Sequence, residues 1–210
     1  MNVLIVPGHG GSSKGAVSAD GSLVEADYVL AVGVAAMRAA VDAQLPPRLM
    51  LDISRIDNDR PHGVRDRVRI AKAVNAELVI ELHCDASKNP EAHGLRAYYW
   101  PSCRATKQLA KEAVEVAPPA LREHNAHARP VSPDGYPRAY GLLQAYPMPC
   151  LLVEFGFVTS PIDVPVLRSD GMVDQLADLV LGLCRSSTHL GLSVSADEGS
   201  WDGESYLFGR

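Results

Sequence analysis

Residues 2–11 read NVLIVPGHGG. Val3 to Val6 is an unbroken apolar run, closed by Pro7 and then by His9 set between glycines. Four aliphatic residues bounded by Pro and Gly make a short strand buried on both faces, as in a parallel sheet. Glycines lack a Cβ, so the loop after the strand can bend sharply and let a metal or substrate approach the backbone.

The same grammar repeats along the chain. Ser22 to Gln44 predicts a helix, with Val24, Tyr28, Ala31, Ala35 and Ala39 at three- and four-residue steps, ended by Pro46-Pro47. Arg48 to Ile53 predicts a strand. Val64, Val68, Ala71 and Val74 mark a second helix, and Leu78 to Leu82 and Gly94 to Trp100 are further strands. Ser102 to Val116 is a third helix, and 118–137 reads as irregular, rich in Pro, His and Arg. Tyr140 to Ala145 and Cys150 to Phe155 complete the strands, and Met172 to Cys184 is the last helix. This alternation predicts a single α/β domain: a mostly parallel central sheet of about six strands with helices on both faces. That domain spans 1–185, and a polar tail, 186–210, follows; it carries Trp201, Tyr206, Leu207 and Phe208.

Composition removes several functions. The formal net charge is −5, which disfavours binding nucleic acid through its phosphates. No apolar run is long enough to span a membrane. The N-terminus has no basic region before its short apolar stretch, so no signal peptide is expected and synthesis is cytoplasmic. The four cysteines, Cys84, Cys103, Cys150 and Cys184, are far apart and form neither a disulfide framework nor a Cys-based zinc knuckle. A monomer is expected.

In an open α/β sheet, ligands bind at the carboxyl ends of the strands. His9 follows the first strand there, His83 ends LVIELHCD (78–85), and Glu154 lies in CLLVEFGF (150–157). Two imidazoles and a carboxylate suffice for a catalytic zinc, leaving a position for water. Glu25 is a fourth candidate, although Ser22-Leu-Val-Glu25 also reads as a capping box. Glu154 stands in an apolar strand, where a carboxylate costs several kcal/mol unless paired or bound to metal. Strand alternation puts Glu81 and Asp85 on the face of His83 and turns Cys84 away. Asp85 could thus orient the His83 ring. His62, His93, His124, His127 and His189 have no assigned role, with His124 and His127 as possible cleft residues.

These residues resemble the zinc-dependent N-acetylmuramoyl-L-alanine amidases of bacterial peptidoglycan. The family shows a strand followed by Pro-Gly-His-Gly-Gly (here Pro7 to Gly11), a Glu opening the first helix (Glu25), a strand ending in His and small residues (His83 to Ala86), and a late Glu-x-Gly-Phe (Glu154 to Phe157). Ser54-Arg55-Ile-Asp57, Arg67 and Gly94 match weaker elements. The resemblance implies that His9, Glu25 and His83 hold one Zn2+ ion. It implies that Glu154 is the catalytic carboxylate, with Asp85 and Arg67 as supporting candidates. It implies cleavage of the bond between muramic acid and L-alanine. Val6 and Asp85 depart from the family's usual Asp and Asn. The short link from Cys84 to His93 lacks the insertion by which some members block the site. Open access and cytoplasmic synthesis together fit a phage or prophage endolysin, which reaches the wall through a separate membrane lesion. Two rivals stay open: a carboxypeptidase-like zinc hydrolase, which needs a cation such as Arg55, Arg67 or Arg138 for a terminal carboxylate, and a non-catalytic wall-binding protein.

Overall fold

The structure, a computed structural model, describes residues 1–123, 125–132 and 137–190. In chain order the elements are β1 (Asn2–Pro7), α1 (Glu25–Asp42), β2 (Met50–Ile53), α2 (Val64–Ala73), β3 (Leu78–Asp85), β4 (Arg96–Tyr99), α3 (Arg104–Glu115), α4 (Pro119–Arg122), β5 (His127–Pro130), α5 (Pro137–Ala145), β6 (Cys150–Phe157), α6 (Asp163–Leu167) and α7 (Met172–Ser187). One six-stranded sheet runs in the order β2-β1-β3-β6-β4-β5. β2, β1, β3 and β6 are mutually parallel, and β4 is antiparallel to β6.

The sheet is covered on both faces, as the unbroken apolar strands require. Side chains alternate at period two. Val3, Ile5, Ile80, Leu82, Val153 and Phe155 join one core with α1, α3 and α7. Leu4, Val6, Val79, Tyr98 and Leu152 join the other, under α2 and α5. No helix among the described residues is long and apolar enough to cross a membrane.

Two expectations fail locally. Tyr140 to Ala145 is not a strand but the body of α5. Buried Ala139 and Leu143 of α5, with Tyr146 just past its end, fall at i, i+4 and i+7, which is helical spacing. The sixth strand is instead β5, inside the segment expected to be irregular, where it pairs with β4 at the sheet edge. α7 runs two residues past the expected domain boundary, and Leu190 still packs on the core. Trp201, Tyr206, Leu207 and Phe208 lie outside the described residues.

The register that matters for the site is set at the end of β6. Glu154 lies beside His83 of β3 on one side and Arg96 of β4 on the other. Asp163, the fully buried first residue of α6, holds this end in place. Its Oδ2 accepts from the backbone N–H groups of Phe157 and Gly94, both at 2.8 Å, so one carboxylate ties the exit of β6 to the approach to β4. Asp163→Ala strands two buried N–H groups, each costing about 1–3 kcal/mol. The expected loss is about 2–5 kcal/mol of stability in urea unfolding, with Asp163→Asn losing less.

Candidate metal centre

The loop after β1 decides the position of the first imidazole. His9 adopts a left-handed backbone conformation, with φ of 63°, and Gly10 and Gly11 follow at 122° and 60°. A non-glycine residue there is under local strain, of a kind that clusters at functional sites. The loop folds back through reciprocal backbone bonds between Gly10 and Ser13. His9 Nδ1 lies 3.0 Å from Ser13 Oγ, which leaves Nε2 facing inward.

The second element is the start of α1. The capping box expected at Ser22 and Glu25 does not form. Val24 is the N-cap and makes no side-chain cap bond, while Ser22 Oγ donates to Asp20. The first helical N–H groups are met instead by loop carbonyls, with Glu25 N on Ala16 O and Ala26 N on Lys14 O. The Glu25 carboxylate, 3% exposed, is therefore free to point into the site. Its Oε1 lies 3.1 Å from His9 Nε2 and 3.0 Å from His83 Nδ1 and accepts from Cys84 N; its Oε2 accepts from Ala16 N.

One ligand atom from each of His9, Glu25 and His83 lies within 4.8 Å of the other two. Two ligands of a tetrahedral zinc, each about 2.0–2.1 Å from the ion, stand about 3.3–3.4 Å apart. The Glu25 contacts are within a few tenths of an ångström of that separation, so the donor set fits zinc in spacing and in type.

Two glycines let the ligands crowd the backbone. A Cβ on Gly8 would lie 2.3 Å from Cε1 of the His83 ring. A Cβ on Gly15 would lie 2.4 Å from Glu25 Oε2 and 2.7 Å from the His9 ring. The glycine-rich loop is thus needed for contact as well as for bending.

The outer contacts differ from what sequence suggested. His83 Nε2 lies 3.2 Å from the buried carboxylate of Glu81, while Asp85 Oδ1 accepts from Ala86 N and the residue lines the cavity mouth. Asp85 shares the cavity with His83, but the two ring nitrogens face Glu25 and Glu81, and the strand pairing shifts register between His83 and Asp85. Arg67 does reach the site: Nη1 is 2.8 Å from Glu81 Oε2. Tyr146, which carries no sequence signal beyond its burial, donates its hydroxyl to Glu81 Oε1. Arg55 donates to the carbonyls of Pro7, Gly8 and Ala26, tying the segments before His9 and after Glu25 together. The other histidines serve the scaffold: His62 Nε2 bonds Ser54, and His93 and His127 bond loop carbonyls. His124 lies outside the described residues.

Electrostatics separate the carboxylates. Burial works against charge on Glu25, but hydrogen bonds from His83 and His9 outweigh it and hold the group well below the usual carboxylate range. Burial also opposes charge on His83, yet Glu25 and Glu81 raise its pKa to about 10. Glu154 is pushed the other way, well above the ordinary value, chiefly by burial. Its Oε2 is buried with no hydrogen-bond partner among the described residues. Glu154 shares a cavity of about 750 Å³ with His9, Glu25 and His83, and Val64, Tyr98, Leu142 and Leu152 give that cavity an apolar wall.

Comparison with known proteins follows the same lines. The sequence model of the N-acetylmuramoyl-L-alanine amidase family matches residues 3–182. The chain is 26% identical over 200 residues to the N-acetylmuramoyl-L-alanine amidase CwlM of Mycobacterium tuberculosis, covering 90% of this chain but 45% of that protein. It is 26% identical over 204 residues to the germination-specific N-acetylmuramoyl-L-alanine amidase of Bacillus subtilis, covering 90% of this chain and 81% of that one. Among solved structures, the amidase AmiC2 of Nostoc punctiforme superposes with a TM-score of 0.74 at 26% identity, covering 90% of this chain and 97% of that one. An amidase from Clostridium difficile 630 has the same fold, with a TM-score of 0.75 at 23% identity and the same two coverages.

Two outcomes test the centre. Gly8→Ala must displace the His83 ring, so zinc affinity is expected to fall more than about tenfold with the fold retained, as measured by chelator competition. Metal-free His83 is charged at neutral pH, because its pKa is raised to about 10. Zinc needs the neutral imidazole, so binding expels that proton and affinity rises with pH until His83 is neutral on its own. Titration calorimetry in buffers of different ionisation enthalpy is expected to report release of about one proton per ion at pH 7.

Proposed function

The chain belongs to the N-acetylmuramoyl-L-alanine amidase family, and on that premise we propose that it hydrolyses the amide bond joining N-acetylmuramic acid to L-alanine in bacterial peptidoglycan. His9, Glu25 and His83 hold one zinc ion, and Glu154 is the catalytic acid–base. The observation that carries this reading is the contrast between two carboxylates in one cavity, the buried Glu25 and the half-buried Glu154. Glu25 is enclosed by imidazoles and backbone donors at metal-ligand spacing, whereas Glu154 keeps a buried oxygen with no partner among the described residues. The family model matches residues 3–182; the catalytic domain is assigned to 1–185, with α7 carrying Ser186 and Ser187 beyond that boundary into the tail 186–210.

When bound, zinc supplies a Lewis acid that polarises the amide carbonyl and lowers the pKa of a bound water from 15.7 to about 7. The residues of the chain do the rest. Glu154 accepts a proton from the attacking water and delivers it to the leaving amide nitrogen. Burial raises its proton affinity, which suits the first transfer. The apolar wall formed by Val64, Leu142 and Leu152 excludes water from one side of the reacting bond.

A carboxypeptidase-like reading needs a free cation near the centre. Arg67 is committed to Glu81, and Arg55 to five oxygen acceptors, the carbonyls of Pro7, Gly8, Ala26 and Asp57 and the side chain of Asn58. Both commitments favour the amidase; the third candidate, the Arg138 side chain, lies outside the described residues. The substrate is the cell wall, and the finer reading is an endolysin, delivered through a separate membrane lesion. It is supported by residues 86–95, which carry no helix; the longer segment before β6, expected as a loop, does carry α4 and the start of α5, and Ala139 and Leu142 of α5 line the cavity.

The test is digestion of purified peptidoglycan with mass analysis, with and without a zinc chelator. Stem peptides with a free L-alanine amine, and no new reducing ends on the glycan, are the expected products. Shortened stems would move the assignment to a peptidase, and absence of cleavage would leave a wall-binding protein. Glu154→Gln is expected to lower the rate by about 10²–10⁴-fold while retaining zinc.

A further inference from the structure

Glu81 is an anomaly that the proposed reaction does not use. It is the single charged residue in the apolar run of β3 from Leu78 to Leu82 and is fully buried. A charge there is costly unless donors surround it. Three do. Arg67 Nη1 lies 2.8 Å from Oε2, His83 Nε2 lies 3.2 Å from the same oxygen, and the Tyr146 hydroxyl donates to Oε1. These partners are themselves buried, Arg67 at 6% exposed and Tyr146 at 0%. Arg67 is fixed in turn by Nε, which donates to His62 O at 3.1 Å.

A neutral imidazole carries one proton, and the nitrogen without it is the one that can bind metal. Arg67 Nη1 also stands 3.5 Å from His83 Nε2, so a cation and a carboxylate occupy that side of the ring. The other nitrogen, Nδ1, faces Glu25 Oε1. We propose that Glu81 is the positioning residue for the metal centre: anchored by Arg67 and Tyr146, it accepts the Nε2 proton of His83 and so presents Nδ1 to the ion. The inference rests on the reading that His9, Glu25 and His83 hold zinc. Charge neutralisation of Arg67 alone does not require His83 Nε2 to share the same oxygen. Loss of such an outer partner lowers metal affinity about 10–100-fold.

The experiment uses the full chain and zinc alone, with affinity measured by chelator competition. Glu81→Gln keeps the shape and an acceptor oxygen, and an intermediate loss of affinity is expected. Glu81→Leu combined with Arg67→Met removes both charges, so no buried cation is stranded and the fold is expected to survive; zinc affinity is expected to fall about 10–100-fold. Nuclear magnetic resonance of the zinc-loaded parent is expected to show a slowly exchanging Nε2–H of His83, absent from the double variant. A double variant that folds and binds zinc as tightly as the parent would overturn the role of Glu81 alone. A parent that binds no zinc would overturn the metal reading itself, and this inference with it.

Discussion

A carboxylate taken out of water must be met by donors or by a cation, and Glu25, Glu81 and Glu154 crowd one edge of the same sheet. Each meets the requirement differently. Glu25 has two imidazoles and two backbone N–H groups around it. Glu81 has a guanidinium, a phenol and an imidazole. Glu154 has an oxygen with no partner among the described residues. The three carboxylates thus differ in how fully donors satisfy them, and desolvation grows more costly as donors are lost.

The scaffold makes this crowding possible. β1, β3 and β6 are parallel neighbours, so their carboxyl ends come to the same edge and bring His9, His83 and Glu154 with them. The crossover through α1 delivers Glu25 to the same place, and Arg55 ties both segments by their carbonyls. Asp163 holds the end of β6, so the position of Glu154 depends on an anion outside the cavity. Glu25 and Glu81 also raise the pKa of His83, so a metal taken up by this ring would displace a proton and its affinity would depend on pH.

Much of this was legible in the residues. The apolar runs 3–6, 78–82 and 150–155 gave the central strands, because a strand buried on both faces has no polar alternation to confuse it. The histidines and Glu154 were visible because each interrupts or ends such a run. The edge was harder. β5 is half-exposed and only four residues long, so its pattern does not differ from that of a loop. α5 begins with Pro137, and its apolar residues at 142, 143 and 145 mimic a short strand run. Alternation puts Asp85 on the side of His83, and it does line the same cavity, but the carboxylates within reach of the His83 ring nitrogens are Glu25 and Glu81.

The sequence by itself determined the fold class, the central strands and the candidate metal-binding residues, since these depend on local periodicity and on residue chemistry. Only the tertiary structure decided which carboxylate faces which nitrogen. Ser22 and Glu25 have the spacing of a cap, yet Glu25 turns to His9 and His83, because two imidazoles and two buried N–H groups outweigh one local bond. Glu81, Arg67 and Tyr146 are 14, 65 and more residues apart and meet in one buried network. Contacts at that separation are set by how helices pack on the sheet, which no local pattern encodes.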